Sequence, residues 1–232
     1  MKFIKYLVVF LILQGCSSDY DWGWNTLSPS NIDGLTNLKF LISGFTITIY
    51  ISVISIILSM LLGLIVALPS LAKSKFLTYF NIFYVEIVRA VPLLVLILWI
   101  YYGLPIMLGI SFSPFVSGII ALTISESAFQ AEIFRAGINS ISKGQHEVAA
   151  SLGMNFWKKM RLVIMPQAIK TVLPALANQF VYVLKMSSLV SIIGIGDLTR
   201  KANELVVTTY RPLEIYTVLI LEYLVLILIV SY

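Results

Sequence analysis

Leu38-Lys39-Phe40-Leu41-Ile42-Ser43-Gly44-Phe45 opens a run that continues to Leu68 with no charged residue after Lys39. The fold turns on this stretch. A helix needs about 20 apolar residues to cross the hydrocarbon core upright, and this run is longer. The sequence therefore predicts a membrane span that tilts or bends, with Gly44 and Gly63 as its weak points. Similar apolar runs follow at about 77 to 103, 115 to 136, 169 to 191 and 213 to 231. The expected fold class is an all-α membrane protein with five transmembrane helices.

Composition supports the same solvent. Of the residues, 59% are apolar and 12% charged, and the mean hydropathy is +0.95. A water-soluble domain does not have these proportions. The net charge of +5 comes from Lys and Arg scattered between the apolar runs, with no basic, aromatic-interleaved face of the kind that binds nucleic acid. Cys16 is the single cysteine, which excludes an intrachain disulfide framework and a cysteine-based zinc site.

Basic residues orient the chain. Lys73 and Lys75 follow the first run, and Arg135, Lys143, Lys158, Lys159, Arg161 and Lys170 fall between 135 and 170, whereas 104 to 114 has none. By the positive-inside rule, 137 to 168 is a cytoplasmic loop, the N-terminal segment is extracytoplasmic and the C-terminus is cytoplasmic. The outer segment 192 to 212 holds Arg200, Lys201 and Arg211, accompanied by Asp197 and Glu204, and weakens the pattern without reversing it. The last run ends at Ser231-Tyr232 with no basic inner flank, which fits either a truncated chain or an early stop.

Residues 1 to 16 form a signal-like segment, with Lys2 and Lys5 ahead of a short apolar run that is too brief to span. Leu13-Gln14-Gly15-Cys16 resembles the box at which bacterial lipoproteins are cleaved and acylated, although Gln14 departs from the small or aliphatic residue usual there. Two readings stay open: a lipidated Cys16, and an uncleaved segment with an incidental cysteine. Residues 17 to 37 form a short extracytoplasmic segment with interfacial Trp22 and Trp24.

The long inner loop carries Glu147-Val148-Ala149-Ala150-Ser151-Leu152-Gly153, nine residues, then Val163-Ile164-Met165-Pro166. Small residues ending in glycine predict a short, low-profile helix whose end can dock closely on a partner. Pro166 is suited to starting the return helix. The competing reading is an amphipathic helix resting on the bilayer, with Phe156, Trp157, Lys158 and Lys159 at its surface. His146, the only histidine, reads as a solvated loop residue.

This spacing resembles the EAA loop of ABC importer permeases; Val148 and Met165 depart from it conservatively, while Glu147, Ala149, Gly153 and Pro166 hold their places. Arg89-Ala90-Val91-Pro92-Leu93-Leu94, Ala128 to Ile138, Met165 to Ile169 and Lys185-Met186-Ser187-Ser188-Leu189 are similar to the polar amino acid branch of that family. The resemblance extends over 35 to 232. It implies the five-helix core of type I importers, the MetI-like fold, in the bacterial inner membrane. It also implies the partners: a cytoplasmic ABC ATPase dimer, a second permease subunit identical or homologous, an extracytoplasmic solute-binding protein and an amino acid substrate. The coupling loop would then rest on Glu147, Ala149, Ala150, Gly153 and Pro166, with the helix drawn from Ser140 to Gly153.

The chain has no Gly-x-x-x-x-Gly-Lys-Ser/Thr phosphate cradle, so ATP hydrolysis is expected on another chain and no cofactor on this one. Charges at membrane depth need a partner or water. Glu86 with Arg89, and Glu132 with Arg135, are spaced i,i+3 and read either as structural ion pairs or as part of a cytoplasmic gate. Glu126 and Lys185 suit the ammonium and carboxylate of a zwitterion if they face one cavity, and suit a bridge between helices if they do not. Glu222 takes no role. The rival functions are a passive channel and an intramembrane enzyme. The first needs no ATPase-docking loop, and the second needs a nucleophile and base converging in the bilayer.

Overall fold

The computed structural model describes residues 20 to 70 and 75 to 231; the lipidation expectation at Cys16 and the inner-flank Lys73 lie outside them. Every regular element among the described residues is helical. In chain order the helices are α1 (Ile32–Ile42), α2 (Gly44–Ser70), α3 (Lys75–Ala90), α4 (Leu93–Leu98), α5 (Leu104–Leu108), α6 (Pro114–Asn139), α7 (Lys143–Ser151), α8 (Phe156–Lys159), α9 (Met165–Met186), α10 (Leu198–Thr209) and α11 (Pro212–Ser231).

Among the described residues, three continuous helical stretches are long and apolar enough to cross a membrane: Ile32–Leu68, Phe156–Ile193 and Pro212–Ser231. The expected single helix over 77 to 103 is corrected. Thr78–Ala90 and Leu93–Leu108 meet at 93°, and only together do they pass as one span. The break falls at Val91-Pro92, where the proline removes an N–H and disfavours helical backbone in the residue before it.

α6 has the length of a span at 26 residues, about 39 Å, but its buried residues include Ser117, Ser125, Glu126, Ser127 and Gln130. It is the central helix, packed by α2, α3 and α9. A helix enclosed by protein need not be apolar, whereas one facing lipid must be.

α2 has the complementary pattern. Ile49, Tyr50, Ile57, Leu58, Leu61 and Ile65 are exposed on its outer face, while Thr48, Ser52, Ser55 and Ser59 are buried. Its small residues allow the backbones of α2 and α6 to approach closely. A Cβ on Gly63 would stand 2.9 Å from both Gln130 Cβ and the Ser127 carbonyl oxygen. Gly63 is thus a packing contact and not the bend that the sequence suggested; the helix runs unbroken through it. Gln130 Nε2 donates to Ser59 Oγ at 2.7 Å, tying the pair together inside the core.

At the opposite end, the segment before α1 is fastened to α11. Glu214 is fully buried and accepts from the Tyr20 hydroxyl and the Gly23 N–H, while Arg211 donates to the Asp21 carbonyl. α10 begins at buried Asp197, whose carboxylate accepts from the N–H groups of Thr199 and Arg200. Burial pushes this carboxyl up to about 6 despite those bonds.

Candidate functional site

The loop helix is shorter than the sequence suggests: α7 runs from Lys143 to Ser151, with Ser142 at its start. Its end explains the glycine. Gly153 N–H donates to the Ala150 carbonyl at 2.9 Å and Met154 N–H to the Ala149 carbonyl at 3.1 Å. These two bonds make a Schellman turn, which needs its glycine in the left-handed region. Gly153 has φ +70°, and no atom lies within 4 Å of a Cβ built there. The glycine is required by the backbone and leaves an open surface beside it.

α7 packs on α8 and on the π-helical segment Met160–Ile164. Ala149 is buried against this chain, so it is not presented to a partner. Glu147 and Ala150 are exposed, together with Val148 at 59% and Leu152 at 69% exposure. The two exposed apolar residues share one surface with Glu147 and Ala150 and were missed in the sequence; their signal was apolar character at helix positions with no core behind them. Gln167 Nε2 lies 3.4 Å from Gln145 Oε1 and links α7 to α9.

Pro166 does not start a new helix. α8, the π-helical segment and α9 form one continuous span, Phe156–Ile193, with Pro166 near the start of α9. A π turn directly before the proline absorbs its missing N–H without a break. α7 is therefore joined by one tight turn, then Asn155, to a helix that crosses the membrane.

Between α3 and α6 lies a cleft of about 400 Å³ lined by Thr78, Asn81, Ile82, Val85, Glu86, Arg89, Glu132, Arg135 and Asn139. It brings together all four charges of the two expected ion pairs. Only one pair forms: Arg135 Nε and Nη2 donate to Glu132 Oε1 and Oε2, each at 3.1 Å. Both side chains are over a third exposed, so the pair contributes little stability. The Glu86–Arg89 pair is not made. Arg89 instead places its guanidinium 5.0 Å from the centre of the Phe129 ring, where the ring face attracts the cation, and Glu86 is left exposed in the cleft.

Above Arg89, Phe129 and Tyr182 stand with ring centres 6.5 Å apart. Glu126 is 1% exposed and accepts from Gln179 Nε2. The Glu126–Lys185 bridge is not formed: Lys185 is exposed and lines a separate groove with Ser188, Tyr223 and Ile227. The reason is helical geometry. Gln179 and Lys185 project from different faces of α9, and half-buried Gln179 is the one that reaches Glu126.

Thr171, Asn178 and Lys185, seven residues apart, are all exposed, so a polar stripe runs along α9. Leu162, Ile169 and Leu173 make a second exposed stripe that is apolar. Gln179, Phe129 and Tyr182 had no signal in the sequence beyond one polar and two aromatic residues within apolar runs.

Comparison with known proteins places this architecture. The profile of the family described as binding-protein-dependent transport system inner membrane component matches residues 59–232. The arginine transport system permease protein ArtQ of Bacillus subtilis (strain 168) is 35% identical over 198 residues, 85% of this chain and 90% of that one. The glutamine transport system permease protein GlnP of Escherichia coli (strain K12) is 30% identical over 210 residues, 90% of this chain and 93% of that one. A crystal structure of an amino acid ABC transporter with histidines superimposes with a TM-score of 0.78 at 41% identity, covering 87% of this chain and 95% of its own. An inward-facing structure of the MetNI methionine ABC transporter gives 0.72 at 18% identity, a likeness of fold alone. The chain belongs to the family of binding-protein-dependent transport system inner membrane components, and it is a multi-pass permease subunit of an ABC importer.

Proposed function

We propose that the chain carries polar amino acids across the bacterial inner membrane and draws its energy from ATP hydrolysed on a separate cytoplasmic ATPase dimer. One observation carries the coupling half of this reading: the exposed face of α7, with Glu147, Val148, Ala150 and Leu152, is locked by the Schellman turn at Gly153 onto the base of the span Phe156–Ile193. A partner that moves α7 thereby moves a membrane helix. Glu147 is free to accept a charge-assisted hydrogen bond from a basic group of that partner.

The substrate half rests on the polar stripe Thr171, Asn178 and Lys185. Exposed polar residues on a membrane-crossing helix must face water or protein, so this stripe lines the path against a second permease subunit. Lys185 takes the substrate carboxylate, and Glu126 holds Gln179 in place behind the stripe as a positioning residue. The cleft at Glu86, Arg89, Glu132 and Arg135 is the cytoplasmic exit; it extends about 10 Å along α6, counting seven residues from Glu132 to Asn139. The basic loop around α7 lies inside, and the segment before α1 lies outside, where a solute-binding protein delivers substrate.

The test is uptake of labelled arginine and glutamine into vesicles carrying the permease with and without its ATPase. ATP-dependent accumulation only in the complete system is expected. Equal, ATP-independent flux through the permease alone would establish a channel and overturn this reading.

A further inference from the structure

One polar atom beside the path has no use yet. Gln179 donates through Nε2 to the Glu126 carboxylate. The residue is half-buried, and its Oε1 accepts from no described residue and is not enclosed. An open acceptor on a membrane-crossing helix needs a donor from water, protein or a passing solute. Which end of the amide faces outward is fixed from behind. A carboxylate only accepts, so Glu126, at 1% exposure, holds the amide by its nitrogen. Turning the amide over would set oxygen against oxygen.

What approaches this oxygen depends on its neighbours along α9. Gln179 and Lys185 leave different faces of the helix, and exposed Tyr182, three residues from each, stands between them. Six residues of helix separate the two polar groups by about 9 Å. On the path reading given above, on which this inference rests, Lys185 takes the α-carboxylate of the substrate. The substrate side chain then runs over Tyr182 toward Gln179, and its end group meets an acceptor with a buried carboxylate behind it.

We propose that Gln179, turned by Glu126, is the residue that selects the substrate side chain, and that it admits side chains ending in an N–H donor: an amide, a guanidinium or an imidazolium. A side-chain carboxylate brings a second acceptor to the same place. It gives up its hydrogen bonds to water without a replacement, and the charge of Glu126 repels it. Glutamine and glutamate separate these cases, because they share a shape and differ only in the end group.

Equilibrium binding of labelled glutamine and glutamate to the purified permease–ATPase complex, with no solute-binding protein present, measures the permease's own preference. Glutamine should bind about tenfold tighter. Gln179→Leu should bring the ratio close to one. Glu126→Gln, whose amide lets Gln179 turn either way, should reduce the ratio in a complex that stays folded and monodisperse. Lys185→Gln should weaken both ligands alike and leave the ratio unchanged. Equal wild-type affinities that still depend on Lys185 overturn the proposal and leave the path reading standing; Gln179 Oε1 is then a contact to the second permease subunit. Tighter glutamate shows that the amide is turned the other way and overturns the proposal equally, as does a ratio kept in folded Gln179→Leu or in Glu126→Gln. If the wild-type complex binds neither amino acid, or Lys185→Gln alters neither affinity, the path reading fails and the proposal falls with it.

Discussion

Replacing Gly153 separates two ways in which a glycine can hold a docking helix. No atom of this chain lies within 4 Å of a Cβ at Gly153, so the permease itself has room for a side chain. The cost comes from φ +70°, a region that L-residues other than glycine enter at about 1–2 kcal/mol. With tenfold per 1.4 kcal/mol, Gly153→Ala shifts the equilibrium between the closed and open turn by about 5–30-fold. Asparagine enters this region more readily than alanine, and β-branched valine less readily. The expected order of ATPase retention on a tagged permease is therefore Gly, Asn, Ala, Val. Substrate-stimulated hydrolysis should follow the same order while membrane abundance of the permease stays level. Full retention in Gly153→Ala would refute the backbone reasoning. Retention lower in Asn than in Ala would show that the partner's groove measures side-chain size, and would refute it equally.

Lys185→Gln should raise the substrate concentration for half-maximal uptake by about tenfold at unchanged abundance, since a charged hydrogen bond contributes about 1.5–3 kcal/mol; an unchanged half-maximal concentration removes Lys185 from the path. Glu126→Leu leaves half-buried Gln179 without its acceptor, and thermal unfolding in detergent should show a loss of about 1 kcal/mol, absent in Glu126→Gln. Gly63→Val drives side-chain carbons into Gln130 and the α6 backbone at under 3 Å; a cost of about 1–3 kcal/mol or more should appear as reduced membrane abundance, with Gly63→Ala intermediate. Asp197 has a folded pKa of about 6 against an ordinary 3.8, so its ionised form is disfavoured on folding. The stability it contributes is complete below the unfolded value and is lost as pH rises through about 6. Wild-type protein should lose about 1 kcal/mol between pH 5 and 7 through this group, and Asp197→Asn, which keeps the capping oxygen, should not.

How far the sequence could be read follows from which forces it records. The lipid-facing runs were legible because hydrocarbon admits only apolar side chains over a fixed length, and that constraint is written residue by residue between Leu38 and Leu68 and again after Leu213. The short loop helix and its stop were legible because a Schellman turn needs glycine at one place, and Gly153 stands there. Pairings across helices were not legible. Glu126 to Gln179 and Arg89 to Phe129 depend on how α6 is rotated against α3 and α9, and charge spacing along one helix carries no information on that angle. The Glu86–Arg89 expectation failed for this reason. An i,i+3 spacing permits a pair, but an aromatic ring from a neighbouring helix competes for the same guanidinium.

The bend at Val91-Pro92 and the smooth passage through Pro166 make the same point with one residue type. Both prolines remove an N–H from a helix. The outcomes differ: the helix runs on through Pro166, which follows a π turn over Met160–Ile164, and through Pro174 inside α9, while at Val91-Pro92 the chain turns by 93°. The consequence is mechanical. The helix leading from α7 and its turn is continuous, whereas the one beside the charged cleft is broken two residues after Arg89. On the coupling proposed above, a push on α7 moves α9 as a rod, and the broken span yields at its corner, next to the charges of the cleft.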